Sequence, residues 1–173
     1  MKKIVLRYGG YAALAELVLF VLLWLFIYIT NVGHKVQGYI SYVNLICPLL
    51  FVYFGIRYYR DHINDGSITF MKALGLGLLI IIIPAAAFGI IETVYVLYID
   101  PKFYETIAAY DLEQYRKSLP PAALALKVKE MQEQITLEKN PAYNFVLMFL
   151  SIGSVGVIMT VISSVMLMRK AKA

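Results

Sequence analysis

FMKALGLGLLIIIIPAAAFGIIETVYVLY, residues 70–98, is the stretch whose reading decides the fold. It holds a single carboxylate, Glu92, and a single cation, Lys72 near its start. As a helix rising about 1.5 Å per residue it is long enough to cross the ~30 Å of hydrocarbon in a bilayer. Three more apolar stretches of similar length lie at about 8–30, 39–59 and 143–168. The 173-residue chain is 61% hydrophobic and only 16% charged, against about a quarter charged in a soluble domain. The predicted fold class is therefore all-α: a polytopic membrane protein with four transmembrane helices, forming one integral membrane domain over 1–173.

Met1-Lys2-Lys3 followed by apolar residues resembles the start of a secretory signal. The apolar run continues well past the ~7–15 residues of a signal core without a small-residue cleavage site, so helix one is expected to remain as an anchor. Lys2, Lys3 and Arg7 precede helix one, Arg57, Arg60 and Lys72 flank the turn between helices two and three, and Arg169, Lys170 and Lys172 follow helix four. The turn between helices one and two has only Lys35, and in 100–140 six basic residues are offset by seven acidic ones. Basic residues beside short loops stay cytoplasmic. The chain is expected in a bacterial inner membrane with both termini cytoplasmic and 100–140 outside. Tyr8, Tyr11, Tyr58 and Tyr59 at one boundary, and Tyr28, Tyr39, Tyr42, Tyr95, Tyr98 and Tyr143 at the other, fit headgroup belts better than a single aromatic cage.

The external segment reads as a helical hairpin. Asp100-Pro101 marks a helix start, Leu119-Pro120-Pro121 a stop, and a second helix runs from Pro121 towards Asn140-Pro141. Leu124, Val128, Met131 and Ile135 form one apolar stripe that needs cover, from Phe103 and Ile107 of the first helix, the leaflet surface or another subunit. The cytoplasmic turn carries Asp65-Gly66, with Ser67 or Thr69 able to cap helix three. Arg57, Arg60 and Lys72 beside it are candidate contacts for anionic headgroups or for a cytoplasmic partner.

Within the bilayer, helix association depends on small residues that let backbones approach. Gly153, Gly156, Thr160, Ser163 and Ser164 draw such a stripe on helix four, Gly9 and Ala13 on helix one, and Ala73, Gly77, Ala85 and Gly89 on helix three. Glu16 and Glu92 share the small-residue faces of their helices and are expected to point inward. Their positions along parallel helices differ by about 16 Å in depth, which excludes an acid–base pair needing carboxyls within about 10 Å. A carboxyl kept in lipid is a functional-site candidate and can relay a proton if water reaches it. Pro48 frees the carbonyl of Asn44 and Pro84 that of Ile80, as kinks. Glu16, Asn44 and Glu92 are thus the candidate intramembrane polar site.

Composition excludes several functions. The net charge of +5 is scattered over membrane edges rather than gathered in a stripe, so no nucleic acid is expected as a partner. Cys47, the one cysteine, rules out an internal disulfide and reads as a small buried apolar residue. His34 and His62 fall on opposite sides, and no serine-hydrolase, zinc-protease or P-loop motif occurs. No catalytic residue, metal or cofactor is assigned.

The pattern Gly55, Tyr59-Arg60, Gly66-Ser67-Ile68-Thr69-Phe70, Ala73, Gly77 and Asp100-Pro101-Lys102-Phe103 resembles the bacterial membrane proteins grouped as domain of unknown function 4199. The resemblance spans nearly the whole chain and implies four helices, a glycine-containing cytoplasmic turn and an external helical insertion; it contributes no catalytic residues. The expected function is a noncatalytic scaffold or accessory subunit that contacts lipid and, through the external helices, a second copy or another envelope protein. The alternative is a small oligomeric transporter or proton-coupled channel using the intramembrane carboxylates.

Overall fold

The computed structural model describes residues 1–30 and 32–169, with His34 described by its backbone alone. Lys170 and Lys172 of the basic count lie outside the described residues. The chain is helical: α1 Lys2–Thr30, α2 His34–Ile46, α3 Leu50–His62, α4 Phe70–Val94, α5 Phe103–Ser118, α6 Pro121–Glu138 and α7 Pro141–Leu167. A 3-10 turn, Cys47–Leu49, joins α2 to α3, and a π-helical turn, Tyr95–Ile99, extends α4. Among the described residues four continuous spans are long and apolar enough to cross a membrane: Lys2–Thr30, Lys35–His62, Phe70–Ile99 and Pro141–Leu167. These spans place the protein in contact with a lipid bilayer, and α5 and α6 pair between the third and fourth.

The two prolines behave differently. Pro48 converts its surroundings to a 3-10 turn that buries Pro48 and Leu49 and leaves Cys47 exposed, so the cysteine is not the buried core residue expected of it. Pro84 sits inside α4, which continues through it as an α-helix. The helix after the third span, α5, begins at Phe103, not at Pro101. The backbone N–H of Asp100 donates to Tyr95 O at 2.9 Å, closing the π turn, and Asp100 O in turn accepts from the N–H of Phe103 at 3.0 Å. Asp100 therefore ends one helix rather than capping the next.

Contacts gather into two compact bodies, Met1–Phe88 with Met148–Ala173, and Gly89–Leu147. In the first, α4 is the common neighbour, and glycines set how closely it is approached. A Cβ on Gly9 of α1 would lie 2.6 Å from Ile83 Cδ1, one on Gly55 of α3 2.7 Å from Ile80 Cδ1, and one on Gly156 of α7 3.0 Å from Ile81 Cγ2. Gly77 of α4 packs directly on the Thr160 methyl of α7, with Ile56 of α3 beside it. The core around these contacts comprises Leu49, Val52, Ile56, Ala73, Leu76, Ile80 and Ile152. The expected small stripe on the last span is thus a packing face at Gly156, Thr160, Ser163 and Ser164 but not at Gly153, around which a Cβ would meet open space. On α1 the buried small residues are Gly9 and Ala12; Ala13 is only half-buried.

One end of this body collects four helix ends. The rings of Tyr8 and Tyr58 lie 5.8 Å apart, Lys72 Nζ sits 5.2 Å over the Tyr59 ring, and Arg60 Nη1 donates to Leu167 O at 3.4 Å. Ile68 and Arg169 exchange two backbone hydrogen bonds, of 3.0 and 2.9 Å. The start of α1 and the end of α7 therefore meet on the same side as the α3–α4 turn. In that turn Asp65 (φ 48°) and Gly66 (φ 74°) both take left-handed backbone, at a cost to the non-glycine residue, and the Thr69 hydroxyl accepts from Lys72 N–H at 3.4 Å.

In the second body α5 packs on α6. Leu124, Val128, Met131 and Ile135 are half-buried along that contact. Ile107 is 37% exposed; on α5 the half-buried positions include Phe103, Tyr104, Ala108, Asp111 and Tyr115. Lys139 Nζ pairs with Glu105, and Lys127 Nζ lies 5.8 Å over the Tyr115 ring. The Lys139 ammonium holds the Glu105 carboxyl below its ordinary range. α7 starts at Pro141 because Asn140 caps it: Asn140 Oδ1 accepts from the N–H of Ala142 at 3.0 Å and of Tyr143 at 3.2 Å.

Candidate functional site

Glu16 and Asn44 belong to the first body. Glu16 is 1% exposed and Asn44 6% exposed. Tyr8 packs near Gly55 and Tyr58, and the Tyr11 ring lies 6.1 Å from that of Phe51, which fixes an antiparallel register between α1 and α3. Five more residues along α1, about 7.5 Å, bring Glu16 level with the 3-10 turn at Cys47–Leu49, one helical turn from Asn44. The Asn44 Oδ1 is buried without a hydrogen-bond donor among the described residues. Pro48, lacking an N–H, cannot donate to the Asn44 carbonyl either. The arrangement concentrates polar groups where α1 meets the broken second span.

Glu92 belongs to the second body and is half-buried. It has company there that the sequence did not announce. Asn144, fully buried at 0% exposure, accepts from the Thr93 hydroxyl at 3.0 Å through Oδ1 and donates through Nδ2 to the Tyr104 hydroxyl. Glu138, 7% exposed, accepts from Gln134 Nε2 at 2.8 Å. Burial pushes the Tyr104 phenol up to about 12; the Asn144 hydrogen bond opposes that rise, while the Glu138 and Glu92 carboxyls add to it. This network joins the end of α4, the start of α5 and the start of α7. It is a lock for neutral groups, since every partner of the phenol except the amide favours keeping its proton.

The three basic candidates diverge. Arg60 is only 11% exposed at its side chain: it pairs with Asp61 at 2.6 Å and donates to the last carbonyl of α7, as expected of a cation at a helix C-terminus. Lys72 donates to Asn64 Oδ1 at 2.9 Å while covering Tyr59, which is itself core, 6% exposed. Arg57, 56% exposed, lies 3.6 Å from Asp61. Two of the three thus hold the bundle's own end together, and Arg57 faces out.

Residues 7–169 match the sequence model of the family described as "Protein of unknown function (DUF4199)". The chain belongs to that family. Comparison with curated proteins and with solved structures returns no match. The family description assigns no activity, so the function of this DUF4199 protein is read from its residues.

What the residues can do chemically is narrow. Among the described residues no group of three or more His, Cys, Asp and Glu is placed to hold a metal ion. Glu16 and Glu92 lie in different bodies. Thr93, Tyr104, Glu138 and Asn144 were missed from sequence because their spacing, 51 residues from Thr93 to Asn144 and 40 from Tyr104, has no local signature. The one available hint was Asn144 in the first turns of a span, where an amide costs free energy unless it is paired.

Proposed function

We propose that this DUF4199 protein is a noncatalytic scaffold or accessory subunit of a bacterial inner membrane, with both termini cytoplasmic and the α5–α6 pair outside as its contact element. The observation that carries the reading is the outer face of α6. Leu126 and Leu137 are 66% and 50% exposed, and at 100° per residue they project from one side of the helix, with Glu130 and Glu133 between them. The two exposed leucines stand about 16.5 Å apart along one helix face, and with the two carboxylates between them they form a directional surface of mixed character outside the spans, suited to a partner that matches both its apolar and its charged groups. The facing helix supports it as a rigid mount, because Lys139–Glu105 and Lys127–Tyr115 tie α5 to α6. The partner fitting that patch offers an apolar groove flanked by basic groups.

Within the membrane, Glu16 and Asn44 then act as polar glue between α1 and the Pro48 turn, a use of buried polar side chains that contributes roughly 1 kcal/mol per interaction in lipid. The orientation rests on the seven cations gathered at one end of the first body, Lys2, Lys3, Arg7, Arg57, Arg60, Lys72 and Arg169, against only Asp61 and Asp65.

A photo-crosslinking residue at Leu126 or Leu137, installed in cells, is expected to trap a discrete product. Twice the chain mass identifies a second copy and any other mass an envelope protein, while the same group at Lys117 on α5 traps neither. Absence of any product from both leucine positions would contradict the contact role.

A further inference from the structure

The end of the first body where the α1 start meets α3 holds a cation that the fold positions but does not consume. Arg7 Nε donates to the Tyr11 hydroxyl at 3.2 Å, and the guanidinium carbon lies 5.8 Å from the Tyr11 ring centre and 5.7 Å from that of Tyr58. Tyr58 is itself backed by His62, stacked at 4.5 Å, and by Tyr8 at 5.8 Å. A guanidinium held between two rings keeps its planar fork in one orientation, and rigid arginine is the side chain suited to gripping a phosphate through two parallel bonds. Arg60 and Lys72 at the same end are engaged by Asp61, Leu167 and Asn64, and Arg57 is partly offset by Asp61. Among the described residues neither terminal nitrogen of Arg7 has a hydrogen-bond acceptor on the protein.

What lies along the helix from Arg7 identifies the source of the anion. Tyr11, Leu14 and Val18 follow at intervals of four, seven and eleven, one stripe of α1, and they are 43%, 60% and 48% exposed. The stripe therefore runs from a cation, through an amphipathic ring, to bare hydrocarbon-facing side chains. A lipid presents the same order, phosphate, glycerol backbone and acyl chain. A soluble phosphate has no use for Leu14 and Val18, and an acidic peptide does not place its apolar part at membrane depth.

We propose that Arg7, clasped between Tyr11 and Tyr58, is a seat for the phosphate of an anionic phospholipid whose acyl chain lies along Leu14 and Val18. The proposal rests on the membrane placement of α1 and is independent of the accessory role of α5–α6. A phosphate whose charge no headgroup ammonium offsets draws the Arg7 guanidinium more strongly than that of a zwitterionic lipid, so a net negative headgroup is favoured.

The test uses the full chain purified in mild detergent, with bound lipid counted by native mass spectrometry. Phosphatidylglycerol is expected to bind about tenfold more tightly than phosphatidylcholine, and Arg7→Gln to remove about that factor, the scale of one charge-assisted contact. Arg7→Lys keeps the charge without the fork and is expected to lose most of the preference, which carries the test should the glutamine variant fail to fold. Lys3→Gln, an equal loss of charge, should retain it. The seat is overturned if Arg7→Gln and Arg7→Lys bind phosphatidylglycerol as the native chain does, if Lys3→Gln loses as much as Arg7→Gln, or if both lipids bind alike. Displacement of the lipid by millimolar inorganic phosphate would assign the site to a soluble anion and overturn it equally.

Discussion

Gly77→Leu is expected to prevent assembly of the first body. The Gly77 position abuts the Thr160 methyl, and a Cβ placed there would also lie 3.1 Å from Ile56 Cδ1. Thr160 cannot turn aside cheaply, because its hydroxyl donates to Gly156 O at 2.7 Å and its β-branched side chain is restricted in a helix. Nor can α7 retreat without opening Gly156 from Ile81. Overpacking a well-filled core costs about 1–3 kcal/mol, and more where the backbone must move; here three helices share the contact, so about 3 kcal/mol or more is expected. The measure is unfolding by increasing mole fraction of sodium dodecyl sulfate in mixed micelles. Gly75→Ala, two residues away with nothing within 4 Å of the new methyl, should stay within about 1 kcal/mol of the native chain.

Asn144→Leu should release the α5–α6 pair from the ends of the spans while leaving the first body folded. The side chain is isosteric enough to fill the space, but the Thr93 and Tyr104 hydroxyls lose their shared partner. Stranding a fully buried polar group costs about 1–3 kcal/mol, and the two part-buried hydroxyls left without their partner cost the lower part of that range each. Faster amide hydrogen exchange over 100–140, with little change over 50–88, is the expected result; equal protection in the variant and the native chain would show that the network holds nothing. The same lock has a pH signature. Tyr104 titrates near 12 when folded, above its ordinary value of 10.0, so its contribution is complete below pH 10 and is lost as pH rises from there through about 12. In native protein the exchange protection of α5 should fall over that window, and Tyr104→Phe should remove this step.

The spans were legible because lipid imposes a length and a composition on each, so hydropathy alone set them to within a few residues at most ends. The α3–α4 turn was equally plain, since Asp65-Gly66 and Thr69 act through neighbours only a few residues away. Long-range uses of polar groups were not legible. Arg60 reads as a surface cation until the fold brings it to Leu167, 107 residues on, and Asn144 reads as one amide among apolar residues until Thr93 and Tyr104 arrive. Small residues gave mixed guidance for a geometric reason: Gly153 and Gly156 stand at helical spacing, yet only the second falls where Ile81 approaches. Glu16 was correctly expected to point inward, because its burial follows from its own helix face; Glu92, near the end of its span, is only half-buried.

The account depends most on four crossings that leave α6 on the opposite side of the membrane from the α3–α4 turn. With Cys47 replaced by serine and a single cysteine introduced at Lys127 or at Asp65, intact cells treated with a membrane-impermeant maleimide should label Lys127→Cys at once and Asp65→Cys only after the membrane is breached. Equal labelling of both in intact cells, or labelling of Asp65→Cys alone, would contradict it.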